Sequence, residues 1–364
     1  MFCMAKKIIL TVTNDLVTDH RVHRVAETLR TEGYDVVLVG RKFKCSKKVV
    51  RPYTTKRFGL WFVKGPLFYA SYNIRLFLYL LFHRFDGIIA NDLDTLLASS
   101  LASRFKRKPC VYDSHEYFTE VPELQGRHFQ QNIWLQIEKR LLPKVAAAYT
   151  VSTSIANEYQ QKYGAPFQVI RNLPLKKTIT ATSKSQAIMY QGALNLGRGI
   201  ELMIDSMEFL PDVELWIAGS GDIEEELKNR VQKKHLQGQV KFLGQVPLNE
   251  LHDITVHARL GLSLEENMGK NYYFALPNKL FDYIQARIPV LVSDLPEMKQ
   301  IVQDYQVGEV LQERNPRSLA NQIQGILFNE TKQTGWNLHL EDAAQALCWG
   351  NEKEKLIQII KEHI

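Results

Sequence analysis

Short apolar runs recur along this chain, and most are followed by a stretch in which apolar residues return every three or four positions. Lys7–Val12 (KIILTV) is the first run, and Asp19–Arg30 behind it sets Val22, Val25, Ala26 and Leu29 on one helical face. Asp35–Val39, Gly87–Ala90, Pro109–Tyr112, Ala148–Val151 and Gln168–Ile170 read as further strands, with helices between most of them. That alternation predicts a parallel, doubly wound α/β sheet. Leu173–Gln186 (LPLKKTITATSKSQ) loses the periodicity and gains Pro, Lys, Thr and Ser, which predicts a linker. A second series follows at Ala187–Tyr190, Val213–Ala218, Val240–Phe242, Leu260–Leu264 and Val290–Ser293. Just before the last of these strands, Lys279–Ala286 predicts a helix with Leu280, Tyr283 and Ile284 inward and Lys279, Asp282 and Gln285 turned elsewhere. Asn351–Ile364 closes the chain as a helix whose Leu356, Ile359 and Ile360 need a partner surface.

A length of 364 residues predicts two domains, 1–172 and 187–345, on either side of the linker 173–186, with the terminal helix over 346–364. Hydrophobic residues make up 45% of the chain, enough for two cores. The 46 basic residues exceed the 39 acidic ones, and the excess is uneven: Arg41–Arg57 holds eight Lys or Arg and no acid. Leu60–Phe85 then turns aromatic and aliphatic, interrupted by Lys64, Pro66, Asn73 and Arg75. Those interruptions exclude a membrane span, which needs about 20 apolar residues. A basic loop feeding an aromatic amphipathic helix makes 41–85 a surface for an anionic membrane. The plainer alternative is a helix packed on a sheet beside a solvated basic loop. No reading motif accompanies the charge, so nucleic acid is not expected as a partner. Cys3, Cys45, Cys110 and Cys348 lack metal-ligand spacing, and the chain begins without a signal-peptide pattern. Both point to the cytoplasm, peripheral on the inner face of its membrane if the basic patch engages it.

Ligands of open parallel sheets gather beyond the carboxyl ends of the strands. The first half offers Asn14 and Asp15 there, then Asn91, Asp92 and Asp94, then Asp113, His115 and Glu116. The second offers Gly192–Gly199 (GALNLGRG), Gly219–Gly221, and Glu265 with Glu266. Two polar rims of this kind facing each other predict a ligand cleft between domains. Asn278 and Lys279 open a helix, so a phosphate there would gain from free backbone N–H groups and from the ammonium. Arg198 stands ahead of the helix Ile200–Ser206 and, with Lys279, suits a pyrophosphate. Asp282 suits a ribose diol. An ordinary surface helix and a plain Gly-rich turn are the alternatives. His115, flanked by Asp113 and Glu116, is a catalytic candidate whose imidazole a carboxylate would orient and hold protonated. No metal cluster, G-x-S-x-G elbow or Walker loop is visible.

These residues resemble the GT-B glycosyltransferases, specifically the retaining family 4 type common in bacterial surface-polysaccharide clusters. The resemblance runs through AND-D at 90–94, VYDSHEYFTEVPEL at 111–124, YQGALNLGRGIELMI at 190–204 and ALPNKLFDYIQARIPVLVSDLPE at 275–297. It implies two Rossmann-like domains facing a central cleft, an acceptor-binding half and a donor-binding half, and a terminal helix crossing back to the first domain. It implies that Gly192, Arg198 and Lys279 hold the diphosphate of a nucleotide-sugar donor and that Asp282 holds its ribose. His115 would meet the donor sugar, and no cofactor or catalytic metal is needed. The acceptor would be lipid-linked or a polysaccharide. The chain departs from the family at three places. Asp282 stands for the second Glu of E-x7-E and Phe274 for the first, so the nearest upstream acids are Glu265 and Glu266. Ala193 replaces a phosphate-binding cation, and TNDLVTD at 13–19 replaces a Gly-rich acceptor loop. Two other readings use the same fold: a nucleotide-sugar epimerase, and a non-catalytic nucleotide-sugar-binding subunit.

Overall fold

The computed structural model describes residues 5–17, 19–179 and 183–364. Cys3, Thr18 of the TNDLVTD segment and residues 180–182 of the expected linker lie outside them. The chain divides into two compact units, 1–172 with 352–364, and 173–351.

The first unit runs β1 (Lys7–Asp15), α1 (His20–Thr31), β2 (Asp35–Lys42), β3 (Thr54–Gly59), α2 (Gly65–Phe82) and β4 (Gly87–Asn91). It continues through α3 (Leu93–Lys106), β5 (Cys110–Ser114), α4 (His128–Leu141), β6 (Ala147–Thr150), α5 (Thr153–Tyr163) and β7 (Gln168–Val169). Its strands lie in the order β3-β2-β1-β4-β5-β6-β7, all parallel. The sequence reversal between β1 and β4 is a topological switch point, where strand ends part and a ligand finds room.

The second unit runs β8 (Ala187–Gln191), α6 (Ile200–Ser206), β9 (Glu214–Ala218), α7 (Glu224–Lys233), β10 (Val240–Gly244), α8 (Leu248–Thr255) and β11 (Leu260–Ser263). After it come α9 (Lys270–Tyr273), α10 (Asn278–Gln285), β12 (Val290–Val292), α11 (Pro296–Tyr305), β13 (Gly308–Val310), α12 (Pro316–Leu327) and α13 (Glu330–Ala346). Its parallel sheet has the order β10-β9-β8-β11-β12-β13, with its own switch point between β8 and β11. Both sheets are therefore Rossmann-like, each with helices between its strands.

Three expectations change. The basic stretch 41–57 is not all loop, because Thr54–Gly59 pairs with β2 as an edge strand and buries only Phe58. The segment after Asn172 is not a free tether: Leu173 is fully buried in the second unit's core, and Lys177 N–H donates to Gln285 Oε1 at 2.9 Å. The last helix, α14 (Trp349–His363), starts earlier than its apolar pattern indicates, and Trp349 N–H donates to Pro174 O at 2.7 Å. From Glu352 onward the chain belongs to the first unit. There Leu356, Ile359 and Ile360 are fully buried, Ile364 packs over Gly87, and Glu352 accepts a hydrogen bond from Arg171 N–H at 3.1 Å.

Candidate functional site

In the second unit the site begins where β8 gives way to Gly192. This residue has φ +140°, and a β-carbon on it would stand 3.3 Å from Lys279 Cε. Gly219, beyond β9, has φ +145°, and a β-carbon there would collide with Gly192 O. Two strand ends thus pass backbone against backbone, and the Lys279 and Tyr190 side chains pack against Gly192.

Lys279 lies in the first turn of α10, but it is not turned outward. It is 7% exposed, its Nζ is 2.7 Å from Glu265 Oε1, and it sits 4.2 Å from the centre of the Tyr190 ring. The helix is short and sits on the sheet, so a first-turn side chain long enough to bend back reaches the end of β11. Glu265, expected near the sugar, is fully buried as the counter-charge. Its Oε1 is also 3.8 Å from Arg198 Nη1, and its Oε2 accepts the Ser263 hydroxyl at 2.7 Å. Burial works against the Glu265 carboxylate, yet Lys279, Ser263 and Arg198 hold it below its ordinary pKa. Burial pulls the Lys279 ammonium below its ordinary value, with Glu265 opposing and Arg198 adding to the shift. Two cations therefore share one carboxylate, and the trio keeps one unit of excess positive charge.

Gln191 and Arg314, missed in the sequence, set the surrounding geometry. Gln191 donates to Asp282 Oδ2 at 2.9 Å and accepts from the Thr255 hydroxyl at 3.0 Å, which fixes the half-buried Asp282 on the next turn of α10. Arg314 donates to Leu264 O at 2.6 Å and pairs with the exposed Glu266 at 3.2 Å, holding the chain beyond β11. Asn278 is exposed at the helix start.

In the first unit, β4 and β5 end side by side and gather a second cluster. His115 Nδ1 is 3.1 Å from Asp92 Oδ2, its Nε2 is 3.1 Å from Asp113 Oδ2, and its backbone N–H donates to Asp92 Oδ1 at 2.9 Å. Burial disfavours the charged ring, but Asp92 and Asp113 outweigh it and raise the His115 pKa well above the ordinary value. With a carboxylate at each nitrogen the ring is an imidazolium, a fixed positive charge with no lone pair for a base. Asp113 is buried and takes two hydrogen bonds from Arg21, at 2.7 and 3.2 Å. Against burial, Arg21 and His115 hold Asp113 down at about 2. Arg21 sits on the buried face of α1. An arginine inside the stripe Val22, Val25, Ala26, Leu29 was the available signal for it.

The other acceptor-side candidates divide. Asp94 is buried in the first turn of α3, accepts the Thr13 hydroxyl at 2.5 Å, and is pushed up to about 7 by burial and the neighbouring Asp92. Asn91 is 1% exposed and donates to Thr11 O at 3.1 Å, so it is committed to the sheet. Asn14 donates to Asp19 at 3.1 Å, while Asp15 takes the Ser46 hydroxyl and pairs with Arg57 at 3.3 Å. Part of the basic stretch is thus neutralised within its own unit. Glu116 is half-buried beside His115, and its carbonyl accepts the Ser114 hydroxyl at 2.8 Å.

The chain thus carries two Rossmann-like sheets, each with polar residues at the carboxyl ends of its strands. The family described as glycosyltransferase family 4 matches residues 19–173, and that described as glycosyl transferases group 1 matches residues 174–338. A phosphatidyl-myo-inositol mannosyltransferase of Mycobacterium leprae is 24% identical over 166 residues, which is 44% of this chain and 42% of that protein. The match therefore spans less than half of the mannosyltransferase. Among solved structures, sucrose-phosphate synthase from Thermosynechococcus elongatus superposes with a TM-score of 0.78 at 17% identity, covering 98% of each chain. HepE of Anabaena, solved in complex with UDP and glucose, gives 0.75 at 14% identity over 98% of this chain and 100% of its own. These two likenesses concern the fold. The chain belongs to the GT-B glycosyltransferases of the family 4 type.

Proposed function

We propose that this protein transfers a hexose-type sugar from a nucleoside diphosphate donor to a lipid-linked or polysaccharide acceptor with retention of configuration. The observation that carries the reading is the pair Lys279 and Arg198 on one buried carboxylate, with Gly192 bringing backbone without a side chain against Lys279. A diphosphate brings two negative charges to a trio with one positive charge in excess. It also meets the backbone N–H groups at the start of α10. Asp282, aimed by Gln191, takes the ribose hydroxyls. The UDP bound by HepE, a protein of the same fold, supports this class of donor.

In the reaction the bond from the sugar C1 to the diphosphate oxygen breaks, its electron pair leaving with the phosphate. The acceptor hydroxyl oxygen bonds C1 from the same face, and its proton passes to the departing diphosphate. Negative charge grows on that leaving group, where Lys279 and Arg198 stabilise it more strongly than in the ground state. These two cations supply the neutralising charge, so we assign no metal to the step. In the first unit, the His115 imidazolium and the Asp94 carboxyl are assigned to sugar and acceptor hydroxyls.

The same unit carries the membrane assignment. No helix among the described residues is long and apolar enough to cross a membrane. One face of α2 buries Phe68, Tyr72, Leu76 and Leu80, while Leu67, Ile74, Leu78 and Phe82 on the other are exposed, next to Trp61 at 91% exposure. With the basic stretch 41–57 alongside, this face is assigned to an anionic membrane surface on the cytoplasmic side.

The test is release of nucleoside diphosphate from a panel of nucleotide sugars, with and without a lipid-linked or glycan acceptor extract. Release that requires acceptor supports transfer. Conversion of the donor without acceptor supports an epimerase, and donor binding without turnover under every acceptor supports a binding subunit.

A further inference from the structure

At the opposite edge of the second sheet, where β8, β11 and β12 begin, a cleft of about 300 Å³ opens among Lys184, Gln186, Arg259, Arg287, Gln333 and Asn337. The strands carry the chain from this edge to the Lys279 site. At about 3.3 Å per residue, the length of β8 puts the two edges roughly 17 Å apart.

The lining holds three cations and no carboxylate. Arg287 is paired with Glu341 at 2.8 Å and also donates to Gln285 O. Arg259 donates to Gln186 Oε1 at 2.8 Å and to Leu327 O at 3.0 Å, neutral partners that place its guanidinium without offsetting its charge. Lys184 forms no ion pair or hydrogen bond among the described residues. It reaches solvent, yet the atoms crowded around it and the Arg259 guanidinium pull its ammonium down to about 8. Gln333 and Asn337 stand one turn apart on the same face of α13; Gln333 Nε2 gives one hydrogen to Ile326 O at 2.8 Å and keeps the other, and Asn337 adds a second amide.

Counting Glu341 against Lys184, Arg259 and Arg287, the cleft keeps two positive charges in excess. We propose that this cleft binds a small phosphorylated anion, as a second anion site separate from the Lys279 site. Planar guanidinium groups with spare N–H donors suit phosphate oxygens, the ammonium supplies a third cation, and the amides take the remaining oxygens. The volume admits a phosphate or diphosphate group with a small attached body. Occupancy would join the starts of three strands to α13 and so stabilise the second unit by mass action. The inference stands whether or not the Lys279 site takes a nucleotide.

Calorimetric titration with inorganic pyrophosphate tests it on the full chain. In Lys279→Ala, which removes the other anion site, one binding event is expected to remain. Adding Lys184→Ala is expected to weaken that event tenfold or more, and Lys184→Arg to restore it. Lys184 has no structural partner to lose, so its variants keep the fold, and an unchanged melting temperature without ligand checks this. In pyrophosphate the melting temperature should rise in Lys279→Ala and not in the double variant. Absence of any binding to Lys279→Ala, or binding indifferent to Lys184→Ala, would overturn the proposal. Glycerol 3-phosphate and phosphatidic acid vesicles, run in parallel, separate the sources: saturation by the soluble ester supports a free metabolite, and response to the vesicles alone overturns that assignment.

Discussion

Lys279 Nζ and Glu265 Oε1 stand 2.7 Å apart, the lysine nearly and the glutamate fully enclosed. Glu265 lies just beyond β11 and Lys279 in the first turn of α10, so the pair ties a strand end to the start of the helix that leads to β12. Enclosing two charges is costly, and such a pair adds little net stability over a well-packed apolar one. Its position beside Gly192 gives it another use, as a preorganised cation whose counter-charge also reaches Arg198.

Removing one partner should expose that cost. Lys279→Ala leaves Glu265 buried with Arg198 at 3.8 Å and the Ser263 hydroxyl as its remaining partners and is expected to lower stability by about 3 kcal/mol. Lys279→Met with Glu265→Leu should recover most of the loss while still failing to bind a nucleoside diphosphate. Urea unfolding beside nucleotide titration separates the two effects, and equal stability of the single and double variants would contradict the pairing.

Gly192→Ala places a methyl group 3.3 Å from Lys279 Cε at φ +140°. Strain of order 1–3 kcal/mol is expected from the backbone, with diphosphate affinity falling tenfold or more as the approach closes. Gly238→Ala, where a β-carbon meets open space, is the control and should leave affinity unchanged.

The first unit should show opposing pH responses. Asp113, held at about 2, contributes stability that is present above its unfolded value near 4 and lost as pH falls toward 2. His115, raised above its ordinary value, contributes stability that is full below about 6.5 and lost as pH climbs through its folded pKa. The stability advantage of wild type over His115→Gln should therefore shrink as pH rises above 6.5. Asp94 acts the other way: with its folded pKa at about 7, ionisation works against the fold as pH rises. Asp94→Asn should accordingly gain on wild type between pH 5 and 8. Thermal melts of these three proteins and of Asp113→Asn across pH 2–9 check all three signs.

Trp61→Ser with Phe82→Ser removes two of the most exposed aromatic side chains of the first unit, at 91% and 79% exposure. Binding to vesicles containing anionic phospholipid should drop severalfold while turnover of a soluble acceptor is kept. Vesicle binding that persists in this variant and in Lys47→Ala with Lys48→Ala would contradict the membrane assignment.

The doubly wound pattern and the strand ends were readable because fully buried parallel strands are continuous apolar runs; Gly192 directly follows one, and Arg198 and Lys279 stand at the starts of helices. β3 was not readable: TTKRFG buries one residue at a sheet edge inside a run of basic residues. β13 has three half-buried residues, too few for any periodicity to show. Lys279 was placed on the correct helix, but its burial was not readable, since its partner Glu265 is 14 positions away and only the sheet brings them together. Arg21 and Asp113, 92 positions apart, were hidden in the same way.

The most direct measurement is calorimetric titration of UDP and other nucleoside diphosphates into wild type, the double variant Lys279→Met with Glu265→Leu, and Arg198→Gln. The account predicts that one nucleotide binds wild type, binds Arg198→Gln at least tenfold more weakly, and fails to bind the double variant at matched stability. Equal affinity in all three proteins would contradict it.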